Sequence, residues 1–567
     1  MSYPYSGPTL IQRLIAQHEK KHPGLLKQGI FSLNWRTKVG SFPHPDVETL
    51  VGAGEPCGRW NPQEGRAEDK RQIADNWNFL HELPLNGYIP AASIRGLVRS
   101  WAKKQSPELQ ERMEQFLGVQ CNRKITAGKV TFLDAFPEKP TRLSLDITNP
   151  QQGFQVYHNG QSTPISQYTL GSGWDDSIKV QIAIRGIPGQ ITPDDLDEVW
   201  SWVQKAIHSQ GLGGRTAAGY GAVTVPDRSI QSLNPDLPPG YSQKILFFSV
   251  YSQGNAGPNP TTMEFRPSHW RGWLRSWLLR FFLGVMSRPN AEMTVNELMG
   301  SIEPQTIQGA IRLKVLRGEY WGEKSDKTPH FHTWSGRLQI TAPTDLLKTI
   351  IIPILRIAVM LGGVGRGSRR PLHIFEMSDK KGNRWDSTRG CHVFFKHSVK
   401  DESSGIESLK PFGLVLRSED WQKTYQRWST TIENDYPTRF NRREADSNAE
   451  IVSPSTCAIY LVPGPEREPI DFHNQDWEFT DRFKTRGEGM ALIYELTYKR
   501  NEDVGGNAGG GSAHCSWVSI KRITRPQICQ EVVCLFLGHD SQLRLRFLED
   551  LANIEGSTFI FGQEPQQ

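Results

Sequence analysis

One short pattern occurs twice in this chain and constrains its fold more than any other feature. Residues 88–101 and 265–277 share the pattern Arg-Gly-x-x-Arg-Ser-Trp in register. Each segment begins with a proline and a small residue, which favour a helix start, and then places arginines four residues apart on one helix face. The equivalent arginines are Arg95 and Arg99 in the first copy and Arg271 and Arg275 in the second. The repeat predicts two diverged copies of one unit, each with a basic helix.

A glycine-rich turn follows each basic helix later in the chain. Residues 211–221 read GLGGRTAAGYG, and residues 361–370 read LGGVGRGSRR. Glycines at this density permit positive φ and a close approach of the main chain to a partner, and successive N–H groups can face an anion. Neither turn is a P-loop, because the Gly-Lys-Ser/Thr ending is absent. Neither is a dinucleotide fingerprint, because each follows a predicted helix, 193–209 or 345–361, rather than a strand.

The predicted strands and helices repeat around these markers. In each half, a strand precedes the basic helix, and further strands precede the second helix and the turn. The order is βαββαβ with insertions, so we predict an α+β fold with two tandem ferredoxin-like modules. The predicted boundaries are 1–233 for the first module, 234–241 for a linker, 242–400 for the core of the second module and 401–567 for a C-terminal extension that completes it.

The C-terminal extension carries weaker signals. Four stretches are predicted as strands and one as a helix: 456–462, 490–498, 517–523 and 532–537, then 541–552. A separate third domain is the alternative to an extension of the second module.

Composition favours a globular protein that binds nucleic acid. A chain of 567 residues is too long for one ordinary core. Its 17 Trp, 25 Phe and 14 Tyr lie among 66 Lys and Arg, a mixture that single-stranded RNA or DNA uses for stacking and phosphate pairing. The seven cysteines include no CxxC pair, so neither a disulfide framework nor a zinc site is predicted, and a reducing cytoplasm fits best. The N-terminus lacks a secretory signal pattern, and the longest apolar stretch, 349–363, is interrupted by Pro353 and Arg356, so we expect no membrane segment.

At the repeated motifs the sequence resembles the RAMP superfamily of CRISPR-associated proteins. The helix start typical of that family stands here as Tyr88–Gly96, and its late glycine-rich loop stands as Gly211–Gly221. The first half is most similar to RAMP subunits of type III effector complexes, including the sixth Cmr subunit, and the second half to the first Cmr subunit. The resemblance covers about residues 25 to 380. Ala91 and Ala92 depart from the usual small polar residues, as do Pro371 and His373 from the usual glycines of the second loop.

The resemblance implies a cytoplasmic subunit of a type III CRISPR ribonucleoprotein, without a membrane partner. Its expected partners are guide RNA, target RNA and other effector subunits. Arginines would pair with phosphates, and the turns would let the RNA backbone lie close to the protein backbone. The residues implied in RNA binding are Ser93, Arg95, Arg99, Gly211, Gly213, Gly214, Arg215, Thr216, Gly219, Arg271, Arg275, Gly363, Gly365, Arg366, Arg369 and Arg370.

A cleavage site is implied for the first module only. Some RAMP subunits carry a loop aspartate ahead of the basic helix that supports metal-dependent cleavage of target RNA, and Asp75 stands at that position. It would hold Mg²⁺ or orient the attacking 2′-hydroxyl. Asp46 and Asp69 compete with it, and a solvated loop acid stays an alternative for each. The corresponding loop of the second half, 252–263, contains no Asp or Glu, so we predict that module to be non-catalytic.

Histidine side chains offer an alternative route, metal-free RNA cleavage. His44, His81 and His269 could act as general acid or base, although such residues commonly serve packing or surface roles. Three functions therefore stay open: an effector subunit that binds RNA and cuts at its first module, a stand-alone ribonuclease that processes precursor guide RNA, and a non-catalytic subunit that caps the guide–target duplex.

Overall fold

The structure is a computed structural model with mixed α and β elements. It describes residues 7–39, 42–44, 49–51, 82–121, 124–148, 152–159, 165–171, 178–223, 237–256, 263–301, 305–324, 330–378, 381–400, 407–441, 448–472, 481–507, 514–525, 528–538 and 541–565. The predicted α+β class is confirmed, and the sheets are antiparallel.

Within the described residues, the first half has two larger sheets and two short two-stranded ladders. Its helices are α1 (Gly7–Lys21), α2 (Ala91–Ala102), α3 (Pro107–Leu117), α4 (Gln152–Tyr157) and α5 (Pro193–Gln210). Its strands are β1 (Leu26–Leu33), β2 (Thr37–Lys38), β3 (Phe42–His44), β4 (Thr49–Val51), β5 (Glu82–Asn86), β6 (Val119–Cys121), β7 (Lys124–Thr126), β8 (Val130–Phe132), β9 (Arg142–Thr148), β10 (Ile165–Leu170) and β11 (Ile178–Gly186). One sheet has the order β8-β11-β1, and Leu33 of β1 bridges Val223 on its other side. The other larger sheet has the order β2-β10-β9-β5, and the two short ladders are β3-β4 and β6-β7.

Alternation along the strands explains how the first core forms. Side chains at every second position of β1 and β11, including Phe31, Leu33, Val180 and Ile182, are buried in one cluster with apolar residues of α2 and α5. The sequence pattern of residues 30–39 is typical of one strand, but the structure divides this run between β1 and β2.

The second half repeats this arrangement with longer strands. Its helices are α6 (Pro267–Phe282), α7 (Arg288–Met299), α8 (Ile352–Ala358), which continues a π-helical segment (Leu346–Ile351), and α9 (Ser418–Asp435). Its strands are β12 (Tyr241–Ser252), β13 (Asn255–Ala256), β14 (Met263–Glu264), β15 (Arg312–Lys324), β16 (His332–Pro343), β17 (His373–Ser378), β18 (Arg384–Arg389), β19 (Cys391–Lys400) and β20 (Glu407–Pro411). The main sheet has the order β15-β16-β12-β19-β20, and β17 and β18 form a separate hairpin.

The C-terminal segment forms a sheet of its own. Its strands are β21 (Cys457–Pro463), β22 (Val518–Arg525), β23 (Ile528–Phe536) and β24 (Thr558–Gly562), and its helices are α10 (Asp481–Lys484), α11 (Glu488–Ile493) and α12 (Gln542–Ala552). The sheet order is β22-β23-β21-β24. Of the predicted extension 401–567, only β20 adds to the second main sheet among the described residues, and the rest of its strands pair with one another.

Residues 490–498 were predicted as a strand, and this prediction is wrong. The segment begins in helix α11 and continues as turns. The buried carboxylate of Glu531 accepts hydrogen bonds from the main-chain N–H groups of Gly487 (3.2 Å) and Met490 (2.9 Å). Because a carboxylate at a helix start satisfies N–H groups that have no partner within the helix, this distant contact stabilises the helix over the apolar run.

The same strand order occurs in all three parts of the chain. In the first half, β1 lies between β11 and the bridge at Val223. In the second half, β12 lies between β16 and β19, and in the C-terminal sheet β21 lies between β23 and β24. The C-terminal sheet has its own apolar cluster with α11 and α12. A larger cluster combines the second half with Trp35 and Tyr220 from the first half and Ile459 and Trp517 from the C-terminal segment. The described parts therefore share buried apolar surface as well as having cores of their own.

Two further observations concern chemistry and location. None of the described helices is both long and apolar enough to cross a membrane. The cysteines that the structure describes with side chains, Cys391, Cys457, Cys515, Cys529 and Cys534, are all free thiols.

Candidate nucleic-acid interface

The first glycine-rich turn is held against strand β2. Helix α5 ends where Gly211 adopts a φ of 81°, and Gly214 then donates its N–H to the carbonyl of Lys38 (2.9 Å). Gly213 has a φ of 79°, and a Cβ there would collide with the carbonyl oxygen of Lys38. Glycine is therefore needed at this position for both its φ and the close approach of the two chain segments.

Two cations lie together at this turn. Arg215 adopts a left-handed φ of 53°, and its side chain is half-buried. Burial lowers the pKa of Lys38, and the charge of Arg215 lowers it further. Within the described part of the chain, the guanidinium of Arg215 makes no hydrogen bond or ion pair. Two like charges that have no acidic partner in the part of the chain that the structure describes form a site that favours an anion.

The main chain of the turn adds hydrogen-bond donors to these cations. Residues 216–218 form one turn of 3₁₀-helix after Arg215. Among the described residues, the N–H groups of Gly213, Arg215, Thr216 and Ala217 donate to no acceptor. Unengaged N–H groups beside cations are the arrangement that main-chain phosphate binding uses.

The twin basic helices use their arginines in the same way. Arg95 and Arg99 of α2 donate to the carbonyls of Leu117 and Gly118, at the end of α3. In the second half, Arg271 donates to Met299, and Arg275 donates to Gly300 (3.0 Å), at the end of α7. Guanidinium groups at a helix C-terminus satisfy carbonyls that have no partner within the helix and complement its dipole.

The role of these arginines as phosphate contacts stays a prediction. Arg95 is exposed, so its remaining donors can reach a ligand. Arg271 is more enclosed: burial and the neighbouring Arg275 lower its pKa to about 10. Ser93 lies in the first turn of α2, and the start of this helix is held by Asp134, whose carboxylate accepts from the N–H of Ala91 (2.7 Å).

The second glycine-rich turn directs two of its arginines inward. Arg369 forms an ion pair with Glu450 (2.6 Å), and Arg370 donates to the carbonyl of Val518 (2.6 Å) and the hydroxyl of Ser516 (2.8 Å). Burial lowers the pKa of Arg370 to about 10. Arg366, in contrast, is exposed. Gly363 and Gly365 lie in the same turn, where Gly365 has a φ of 81°.

A buried ionic cluster joins the first turn to the second basic helix. Arg266 contacts Glu264 and lies 2.6 Å from Asp146, Arg36 lies 3.2 Å from Glu264, and the hydroxyl of Tyr220 donates to Asp146. Burial alone would raise the pKa of Asp146, but the charges of Arg266 and Arg36 outweigh it and hold the pKa at about 2. Gly219 packs against Pro267, and a Cβ there would collide with the proline ring. The cluster therefore fixes the turn relative to α6.

A second buried cluster centres on Glu450. Its carboxylate contacts Arg280 of α6 (2.7 Å), Arg369 (2.6 Å) and His158 (2.9 Å). Burial opposes ionisation, but Arg369 and Arg280 lower the pKa of Glu450 to about 2. His158 also stacks on Trp517, with ring centroids 3.7 Å apart. Residues of all three parts of the chain thus meet at one carboxylate.

These two carboxylates predict acid sensitivity. Their folded pKa values of about 2 lie below the usual values of about 3.9 for Asp and 4.3 for Glu. The stabilisation is therefore complete above about pH 5 and is lost as the pH falls toward 2, by about 2 to 3 kcal/mol for each carboxyl group. Urea unfolding between pH 6 and pH 3 would measure it, with Glu450→Gln showing a shallower fall than the wild type. Equal pH dependence in the two proteins would contradict the assignment.

Most of the candidate catalytic residues are not among the residues that the structure describes. Asp46, Asp69, Asp75 and His81 lie outside the described residues, and His44 belongs to β3. His269 is described: burial, with Arg266 nearby, lowers its pKa to about 3, so it is neutral near pH 7 and cannot donate a proton as a general acid there. Across the described part of the chain, no group of three His, Cys, Asp or Glu side chains could hold a metal ion.

Sequence reasoning missed several residues that shape this interface. Lys38 lies in a short strand far from the turn in sequence, and no local pattern pairs it with Arg215. Tyr220 belongs to the Gly-Tyr-Gly end of the turn, and this local pattern could have marked it as part of the interface. Asp146 and Glu450 had none, because a buried acid is recognised by the cations around it.

The first basic helix and the first glycine-rich turn lie in a segment that matches a known protein family. Residues 86–224 match the sequence profile of the RAMP superfamily, and they include α2, α5 and the first glycine-rich turn. Over these residues the match confirms the RAMP resemblance that the motifs predicted.

Individual relatives include CRISPR proteins. The chain is 27% identical over 158 residues to CRISPR system Cmr subunit Cmr6 of Pyrococcus furiosus, an alignment that covers 25% of this chain and 43% of the relative. The chain therefore spans less than half the length of this curated relative. Among solved structures, it is similar to apo Cmr1 from Pyrococcus furiosus, with 11% identity, a TM-score of 0.28, and coverage of 56% of this chain and 99% of the other. A type IV-B CRISPR complex gives 16% identity, a TM-score of 0.20, and coverage of 37% and 93%.

Proposed function

We propose that this chain is a subunit of a type III CRISPR ribonucleoprotein effector that binds guide RNA and the guide–target RNA duplex. The observation that carries the proposal is the first glycine-rich turn, where Lys38 and Arg215 lie beside four N–H groups that have no acceptor among the described residues. A sugar-phosphate backbone supplies the anions that such a site favours. The RAMP domain and the similarity to a Cmr subunit support the class of assembly.

The fold supports the same proposal. Each half is a ferredoxin-like module in this view, because each places its first strand centrally and has helices between the first and second strands and between the third and fourth. The C-terminal segment follows the same order and would be a third such unit. RNA lying along the first module would meet the turn after α5, whereas the turn of the second module faces RNA mainly through Arg366.

Target cleavage at the first module is the finer part of the proposal. Asp75 would hold Mg²⁺ or orient the 2′-hydroxyl nucleophile, with Asp46 and Asp69 as competitors. Lys38 and Arg215 would hold the RNA backbone in place while the loop acid supports cleavage of the phosphodiester bond.

A non-catalytic, architectural role is the second candidate. It is favoured by the internal use of the basic residues: Arg95, Arg99, Arg271, Arg275 and Arg369 all contact groups of this chain. Such contacts build a stiff scaffold that could cap a duplex and hold neighbouring subunits. A stand-alone ribonuclease that processes precursor guide RNA is an outcome of the same experiment.

The test uses the purified complex and labelled complementary RNA. We expect binding that weakens steeply with salt, because phosphate pairing releases counterions. With Mg²⁺, the wild type should yield one cleavage product that Asp75→Ala loses, while loss of that product in Asp69→Ala or Asp46→Ala instead would move the assignment to that competitor. A product pattern unchanged by Asp75→Ala would remove Asp75 as a catalytic residue, and absence of cleavage in the wild type would leave the architectural role. Cleavage of repeat RNA by the isolated chain without metal would favour processing, and absence of RNA binding at low salt would overturn the proposal.

A further inference from the structure

A second group of cations and aromatic rings lies far along the chain from the first glycine-rich turn. We call it the basic-aromatic patch, and it draws residues from the β17–β18 hairpin and from the C-terminal segment. Its members are Phe375, Trp385, Arg389, Phe483, Arg486, Tyr494, Lys499 and Arg500.

The hairpin register brings three of these side chains to one face. His373 pairs with Arg389, Phe375 with Ser387, and Met377 with Trp385. Paired residues and those two positions away share a face of a hairpin. Phe375, Trp385 and Arg389 therefore lie on the same face, and Trp385 is 46% exposed.

The C-terminal segment packs its own rings and cations against that face. The rings of Tyr494 and Phe375 are 6.4 Å apart, and the hydroxyl of Tyr494 lies 2.8 Å from Nε2 of His373. Lys499 Nζ lies 5.4 Å from the ring centre of Tyr494 and 6.0 Å from that of Phe375. The two parts of the chain thus form one continuous surface.

Cations and rings alternate across this surface. The guanidinium of Arg389 lies 3.9 Å from the ring centre of Phe375. That of Arg486 lies 4.3 Å from the ring centre of Tyr494 and 5.4 Å from that of Phe483, which is 59% exposed. Cation–π attraction holds each of these two guanidinium groups over an aromatic face.

The charges of the patch repel one another. Burial lowers the pKa of Lys499, and Arg500, Arg486 and Arg389 lower it further. Burial also lowers the pKa of Arg389, partly offset by Tyr494, and Arg366 of the second turn adds to the lowering. The acid nearest in the hairpin sequence, Glu376, alternates to the opposite face and lies 3.5 Å from Arg384. Concentrated positive charge of this kind is relieved by a polyanion.

We propose that the basic-aromatic patch binds a single-stranded stretch of RNA, with bases stacked on Trp385 and Phe483 and phosphates paired with Lys499 and Arg500. The proposal rests on the proposed RNA-binding function and adds a contact region remote in sequence from the RAMP domain. Exposed rings between cations favour single-stranded nucleic acid over an acidic peptide, because unpaired bases offer flat faces for stacking at the spacing of the phosphates.

The test measures binding of a short fluorescein-labelled oligouridylate to the full chain by anisotropy at low salt. Lys499→Glu with Arg500→Glu should weaken binding about tenfold or more, and Trp385→Ala with Phe483→Ala should do so by a similar factor. The matched charge control is Lys423→Glu with Arg427→Glu, two exposed cations on α9. The matched apolar control is Leu409→Ala with Val415→Ala, each 51% exposed. Both controls should bind as the wild type does.

The outcomes separate this inference from the proposed function. If the patch variants bind like the wild type while Lys38→Glu with Arg215→Glu loses affinity, the patch proposal is wrong and the proposed function stands. If the wild type binds no RNA, both are wrong. If polyaspartate competes at lower concentration than oligouridylate, the patch serves an acidic protein partner and the RNA assignment is overturned. Should the aromatic variant fail to fold, as judged by its unfolding midpoint, the charge variant alone decides, because Arg500 is exposed.

Discussion

Glu450→Gln is expected to lower the free energy of unfolding by about 3 to 5 kcal/mol. The carboxylate of Glu450 is fully buried, and it lies within hydrogen-bond distance of Arg280 and Arg369. Glutamine keeps the shape of the side chain but removes its charge, so two guanidinium groups lose the anion that compensates them. Breaking such a buried pair costs more than the pair contributes, because the remaining charges stay desolvated.

Urea unfolding followed by tryptophan fluorescence is the measurement. Trp517, stacked on His158 next to Glu450, is one of the 17 tryptophans that contribute to this emission. The matched control is Glu555→Gln, which removes the same charge from an exposed position and should leave the midpoint nearly unchanged. Because the chain contains several units, the expected effect is an early transition rather than a uniform shift. Coincident curves for the two variants would show that Glu450 does not hold the parts together.

Lys38→Glu with Arg215→Glu is expected to reduce affinity for guide RNA about 100-fold at low salt. Two phosphate contacts would be lost and two charges reversed at the turn. The plot of log affinity against log salt should become shallower by about 1.4, since each contact with single-stranded RNA contributes about 0.7 to the slope. Filter binding or anisotropy across a series of KCl concentrations measures both quantities.

The control for this variant carries the same charge change elsewhere. Lys423→Glu with Arg427→Glu alters net charge equally on α9, so a general electrostatic effect would appear in both proteins. Lys38→Gln with Arg215→Gln should retain folding and show an intermediate loss. Equal RNA affinity in the turn variant and the α9 control would mean that RNA does not bind at this turn.

The twin basic helices show how far a sequence pattern can lead. The repeat correctly predicted α2 and α6, because helix propensity, the initial proline and the four-residue spacing act over neighbouring residues. It gave no information about the carbonyls at the ends of α3 and α7, which take up hydrogen bonds from these arginines. Arginines on one face of a helix therefore do not by themselves indicate contact with RNA, because they can instead bind carbonyl groups of the same chain.

The two glycine-rich turns were predicted equally well from sequence, but their arginines have different partners. Their composition predicted the turns, and the first has the positive φ values that its glycines permit. Sequence could not separate Arg215, which makes no ion pair within the described part of the chain, from Arg369, which pairs with Glu450. The acid that decides between these roles lies far along the chain from Arg369.

The C-terminal segment was the least predictable part. Three of its strands and its last helix lie close to where the sequence pattern predicted them. The run 490–498 is helical at its start because Glu531, on a strand that follows it, caps the helix. A short apolar run is ambiguous between strand and helix until such a contact is known.

The sequence alone determined the repeated motifs, the order of most helices and strands, the RAMP-type domain and the concentration of cations and aromatic rings. Each of these depends on residues close together in the chain, where spacing and local conformation are written directly. Only the tertiary structure decided which cations are paired with Glu450, Asp146 and helix ends, and which gather in the basic-aromatic patch. It also decided that Arg215 makes no ion pair within the described part of the chain. That division depends on desolvation and on partners distant in sequence, because a charge is free or compensated according to what the fold places beside it.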